Sequence, residues 1–221
     1  MVSSILEQDN TMLAFKNRVA IFGGTFDPPH IGHLNIAEQI IAKGYADTVL
    51  FMPALHPPHK LNVNYSSFQH RSNMLIEALK AFPDSRKYNI SLLEQEFPDR
   101  ASYTYNTLEH LTEKNPSIKY MITIGADNLL TLHQWYNAEE LVRRWDILTY
   151  PRKGYDNVQS LYNFWDKKTA DKLSETLLPF KCFDISSTQI REFITKERKK
   201  PDFLTNPVYE YIVRNKLYER K

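Results

Sequence analysis

The residues best equipped for chemistry stand together in Gly23-Gly24-Thr25-Phe26-Asp27-Pro28-Pro29-His30-Ile31-Gly32-His33. Two adjacent glycines after an apolar run let a phosphate approach the backbone with no Cβ in the way. A helix predicted from His33 to Lys43 would turn its first N–H groups toward the same space, where an anion is favoured. His30 and His33, three residues apart, could both donate hydrogen bonds to phosphate oxygens. The same pair could ligate a metal, but no cluster of Cys, Asp or Glu follows at zinc-ligand spacing, so no protein-held metal is expected. The segment is neither a Walker A loop nor a Gly-x-Gly-x-x-Gly fingerprint, which disfavours a P-loop kinase and a dehydrogenase.

A second segment, Ile185-Ser186-Ser187-Thr188-Gln189-Ile190-Arg191, has the hydroxyl cluster of a helix cap with free N–H donors behind it. Arg191, one turn in, offers a planar fork suited to phosphate oxygens. Alone it reads as an ordinary cap, but beside the first loop it becomes a second phosphate grip. Donors and cations without a covalent nucleophile suit direct phosphoryl-group transfer, in which the protein positions reactants and stabilises charge.

The elements that must position these groups alternate. Val19 to Phe22, Thr48 to Met52, Tyr88 to Leu93, Tyr120 to Ile124 and Ile147 to Tyr150 read as strands, with Lys181 to Ile185 as a possible last one. Helices are predicted over His33–Lys43, Phe68–Phe82, Thr104–Glu113, Ala138–Arg144, Ser187–Thr195 and Pro207–Tyr218. This pattern predicts an α/β fold, a single Rossmann-like, doubly wound and mostly parallel sheet with helices on both faces. Residues 1–17 are expected to be an N-terminal extension and 18–221 the one domain, with 151–180 a variable, helical surface connection.

Three more segments could serve a second substrate. Lys60 follows Pro57-Pro58 on a stiff loop, Thr104 opens a helix, and Asp127 lies just past a strand end, where it could accept from sugar hydroxyls. Trp135 offers a flat aromatic face.

Gly24-Thr25-Phe26-Asp27-Pro28 with His30-Ile31-Gly32-His33 resembles the signature of the HIGH-motif nucleotidyltransferases. Ile185-Ser186-Ser187-Thr188-Gln189-Ile190-Arg191 is similar to that superfamily's Ile-Ser-Ser-Thr-x-Ile-Arg motif. Pro57-Pro58-His59-Lys60, Ser102-Tyr103-Thr104-Tyr105-Asn106-Thr107-Leu108 and Gly125-Ala126-Asp127-Asn128-Leu129 with Leu132-His133-Gln134-Trp135 resemble the bacterial nicotinate mononucleotide adenylyltransferases. Pro29 and Ser102 depart mildly from the pattern.

The resemblance implies joining of the AMP moiety of ATP to nicotinate mononucleotide, giving deamido-NAD and pyrophosphate. It implies catalytic roles for His30, His33 and Arg191. It implies an ATP site of Gly23, Gly24, Thr25, Phe26, Asp27, His30, His33, Gly125, Asp127, Ile185, Ser186, Ser187, Thr188 and Arg191. The acceptor would meet Lys60, Tyr103, Thr104, Tyr105, Asp127, Trp135 and Tyr136, with backbone N–H groups near Thr104-Tyr105 and Trp135-Tyr136 on its carboxylate. Magnesium would be held mainly by the ATP phosphates. Phosphopantetheine, glycerol phosphate and the nicotinamide form are the rival acceptors.

Composition is usual for a soluble globular protein: 221 residues, 42% hydrophobic, 24% charged and a net charge of +2. That charge is too small for general nucleic-acid binding. No apolar run is long enough to span a bilayer and the start lacks a signal peptide, so a cytoplasmic monomer or small homo-oligomer without a membrane partner is expected. Cys182, the single cysteine, is expected to be a small buried residue. Trp135→Ala is expected mainly to weaken acceptor binding, read as a raised acceptor KM in steady-state assays; an unchanged KM refutes the stacking role.

Overall fold

The computed structural model describes residues 17–56, 65–97 and 102–219. The expected extension therefore lies, except for Asn17, outside the described residues, as does Lys60. Five strands form the sheet: β1 (Arg18–Gly24), β2 (Thr48–Pro53), β3 (Tyr88–Ile90), β4 (Lys119–Gly125) and β5 (Asp146–Tyr150). Their spatial order is β3-β2-β1-β4-β5 and every pairing is parallel. The α/β doubly wound expectation holds, and the sheet is wholly rather than mostly parallel.

Between them run α1 (Ile31–Ala42), α2 (Phe68–Leu79), α3 (Thr104–Lys114), α4 (Ala126–Thr131), α5 (Ala138–Arg144), α6 (Lys167–Glu175), α7 (Ser187–Glu197) and α8 (Asn206–Arg214). Strand side chains alternate between two cores, because successive Cβ atoms point to opposite faces. Ala20, Phe22, Val49 and Phe51 join α1, α2, α7 and α8 on one face. Val19, Ile21, Leu50 and Met52 join α3, α4, α5 and α6 on the other. Both faces are buried, which is why these strands read as continuous apolar runs.

Local chemistry sets the ends. Gly44, at φ +72°, follows α1 and supplies the left-handed turn that stops it. Ser67 caps α2 by accepting from the His70 N–H at 3.2 Å. Ser186 caps α7, with Gln189 reaching back to the Ser186 N–H at 2.8 Å.

Several elements differ from the sequence reading. Lys181 to Ile185 is irregular, since only an isolated bridge of Thr149 with Leu177 reaches the β5 edge. The strand at Tyr88 ends at Ile90 and gives way to a 3₁₀ turn, Leu93–Glu96. Residues 151–180 hold a 3₁₀ segment and α6, whose Leu161, Ala170 and Leu173 are buried against the second core. They are thus more than a surface connection. The last helix stops at Arg214, and Lys216 and Tyr218 then take left-handed conformations. Cys182 is exposed, because its segment lies off the sheet. Among the described residues no helix is long and apolar enough to cross a membrane.

Candidate active site

Strand order reverses between β1 and β4, since the chain moves outward to β2 and β3 and then returns to β4 on the other side of β1. Connections leave in opposite directions there, and a crevice opens beyond the carboxyl ends. A cleft of about 630 Å³ occupies that place. Its lining includes Gly23, Gly24, Thr25, Phe26, His30 and His33 from the first loop, and Gly125, Asp127, Trp135 and Tyr136 from the segment after β4. Tyr103 and Thr104 at the start of α3, and Ser186, Ser187 and Thr188 at the start of α7, complete it. Three helices of eleven or twelve residues, α1, α3 and α7, therefore begin at one cleft. Their N-terminal dipoles and N–H groups favour negative charge.

The two glycines that end β1 do different work. A Cβ on Gly23 would meet nothing within 4 Å. A Cβ on Gly24 would come within 2.9 Å of the Phe26 ring. Phe26 sits at φ 51° and folds back over Gly24, packing 5.0 Å from the His33 ring. Gly24 thus serves the aromatic packing that sets His33. Gly125 is tighter still, because a Cβ there would lie 2.3 Å from Asp127 Oδ1 and 2.9 Å from Arg152 Nε.

The histidine rings lie against each other, with centroids 3.8 Å apart and planes tilted by 32°. His33 Nδ1 accepts from the His30 N–H at 3.2 Å, which leaves Nε2 as the ring's donor in the neutral form. His30 is buried, and burial, with help from the Arg152 charge, lowers its pKa from 6.5 to about 3. Its imidazole is therefore neutral near pH 7.

Some expected residues stand behind the cleft. The Asp27 carboxylate is 1% exposed and accepts from the Tyr218 hydroxyl at 2.6 Å and the Ser66 N–H at 3.1 Å. Arg191 donates to the Asp27 carbonyl at 2.7 Å and to Thr188 Oγ1 at 3.2 Å. Tyr105 is buried and donates to Glu109 at 3.0 Å. Ile185 packs against the first core. Trp135 packs against the second core and also lines the cleft. Tyr103 and Tyr136 stack 4.9 Å apart beside it.

Three polar residues were missed from sequence. Arg152 lines the cleft, with Nε 3.3 Å from Asp127 Oδ1 and Nη2 3.3 Å from the Tyr150 hydroxyl. Glu94 also lines it, and accepts from the Leu55 N–H at 2.7 Å and from the Ser102 hydroxyl. Burial raises the Glu94 pKa. Arg71 is wholly buried and donates to the carbonyls of Ser66, Thr25 and Ala54 at 3.0, 2.9 and 2.7 Å. It fastens the loop after β1 to both ends of the connection between β2 and α2, as a planar five-donor group can. The one signal in sequence was an arginine on the apolar stripe of α2.

A family model described as cytidylyltransferase-like matches residues 21–193, which sets the class of nucleotidyl-transferring enzymes to which this fold and cleft correspond. The nicotinate-nucleotide adenylyltransferase of Bacillus subtilis (strain 168) is 35% identical over 203 residues, covering 91% of this chain and 98% of its own. The chain belongs to the nicotinate-nucleotide adenylyltransferase family. The Plasmodium falciparum nicotinic acid mononucleotide adenylyltransferase complexed with NaAD shares the fold, at TM-score 0.73 and 21% identity, covering 92% of this chain and 98% of that one. The same Plasmodium enzyme complexed with APC gives TM-score 0.71 at 20% identity.

The buried His30 generates a pH prediction. The folded chain binds its proton more weakly than the unfolded chain, so this contribution to stability is complete above about pH 6.5 and is lost as pH falls toward about 3. Urea unfolding across that window is expected to show a steeper loss of stability for the native chain than for His30→Gln; equal slopes contradict the burial argument.

Proposed function

We propose that this chain transfers the AMP moiety of ATP to nicotinate mononucleotide, giving deamido-NAD (nicotinate adenine dinucleotide) and pyrophosphate. An oxygen of the acceptor phosphate attacks the α-phosphorus in line, and the bond from that phosphorus to the oxygen bridging to the β-phosphate breaks. The observation that carries the reading is the convergence of the α1, α3 and α7 N-termini, the His30–His33 pair and Arg152 on one cleft whose other wall is aromatic.

In this reading the triphosphate lies between the first loop and the start of α7. Gly23 gives the backbone approach, His33 donates from Nε2, and Ser186, Ser187 and Thr188 supply hydroxyls and N–H groups. Arg191 holds Thr188 and the Asp27 carbonyl in register and offers charge at the edge. The acceptor lies toward α3, its pyridine ring against Trp135 and the Tyr103–Tyr136 pair. The N–H groups at the start of α3 face its carboxylate; no side chain caps that end. A negative group there gains from the dipole where a neutral amide gains less, which favours the acid over the amide. Asp127 is the sugar-hydroxyl acceptor and Arg152 a cation for phosphate.

Among the described residues no group of three or more His, Cys, Asp or Glu gathers to hold a metal ion. The cleft's donors fit the ATP phosphates and not the ion itself, so magnesium would be held on those phosphates, where it would supply neutralising charge. The same reading puts the enzyme in the cytoplasm as a monomer or small homo-oligomer, without a nucleic-acid or membrane partner.

With ATP labelled at the α-phosphate, the label is expected in the dinucleotide and unlabelled pyrophosphate is released. His33→Ala is expected to slow that product by about 100- to 1,000-fold, the range for removing one donor to a developing charge. Label recovered only as AMP, or a variant of native rate, contradicts the proposal.

A further inference from the structure

The turn after α8 reaches back to the first loop. Leu217 N–H donates to the Ile212 carbonyl at 3.0 Å, and Lys216 and Tyr218 stand at φ 51° and 62°. Such conformations are uncommon for residues with a Cβ and persist where contacts over-determine them. The contacts here are specific. The Tyr218 hydroxyl donates to Asp27 Oδ1 at 2.6 Å, across 191 positions of sequence. The Tyr218 carbonyl accepts from the Thr195 hydroxyl at 2.8 Å, and that hydroxyl also reaches the Arg191 carbonyl at 2.8 Å. Arg191 Nη1 closes the circuit on the Asp27 carbonyl at 2.7 Å. Asp27, Tyr218, Thr195 and Arg191 thus form one ring of hydrogen bonds drawn from three chain segments. Ser187 Oγ, donating to the Pro28 carbonyl at 2.9 Å, braces it from the cleft side.

We infer that Tyr218 is a positioning residue for nucleotidyl transfer, tying the first phosphate-binding loop to the helix that carries the second. The inference rests on the ATP placement proposed above. Tyr218 lines no part of the cleft, so it acts through Asp27 and Arg191. Burial beside the Asp27 carboxylate raises the phenol's pKa, which keeps it protonated as a donor. Hydrogen bonds linked in this way in a partly buried place strengthen one another. The Trp135 end of the cleft lies on the far side of β1 and is not in the circuit, so the effect is confined to the nucleotide.

The test compares the native chain with Tyr218→Phe, which keeps the ring and removes the hydroxyl. Pyrophosphate release gives kcat and both KM values, and calorimetry gives the ATP affinity. Loss of one hydrogen bond to a charged group predicts a fall of about tenfold in kcat/KM for ATP with the acceptor KM unchanged. Native ATP parameters, or an equal loss for both substrates, overturn the inference. If Tyr218→Phe does not fold, Thr195→Val and Thr195→Ser read the same circuit. A loss for ATP in the valine variant that serine rescues supports the role, and equal behaviour of the two overturns it. A native chain that binds ATP and forms no dinucleotide sinks the proposed reaction, while the ratio of ATP affinities still decides the role of Tyr218.

Discussion

Everything in this molecule depends on the reversal of strand order beside β1. In a parallel sheet the connections must cover both faces, and at the reversal they depart in opposite directions. The carboxyl ends of β1 and β4 are thereby left with a crevice between them that no connection crosses. Gly23 and Gly125 stand at those two ends. The side-chain alternation that sends Phe22 to one core and Ile21 to the other makes this sheet rigid on both faces. A crevice with rigid walls can hold groups in fixed geometry, which phosphoryl transfer requires more than it requires reactive side chains.

The layer behind the crevice has its own logic. Arg71 is a full charge with no exposure, tolerated because three carbonyls and the nearby Asp27 carboxylate compensate its lost hydration. Glu94 likewise binds the Leu55 N–H and Ser102, fixing the loop after β2 to the approach to α3. Each anchor joins loops that are distant in sequence and adjacent at the mouth of the cleft.

The strands and the two segments that line the cleft from β1 and α7 were legible in sequence because their signals are local. Val19 to Phe22 is apolar on both faces, and Gly-Gly with two histidines is compact. The doubly wound class follows from alternation alone. What stayed hidden is tertiary. Arg152 lies in a segment with no periodic pattern, yet β5 delivers it into the cleft. Tyr218 ends a turn that read as helix, because Leu217 and Tyr218 continue the apolar spacing of α8. Cys182 read as buried by residue type, while its segment passes outside the sheet edge. Asp27 was placed on ATP by its position in the motif, and its carboxylate is occupied within the protein.

In the proposed reaction one end of the crevice receives phosphates and the other an aromatic acid. The measurement that bears on it most directly is ATP-dependent pyrophosphate release with nicotinate mononucleotide and with nicotinamide mononucleotide in parallel. Release that is fast with the acid and much slower with the amide is the expected result, since the α3 N-terminus rewards a negative charge. Equal rates with both would contradict the assignment of that helix end to the carboxylate, and no release with either would contradict the account of the crevice itself.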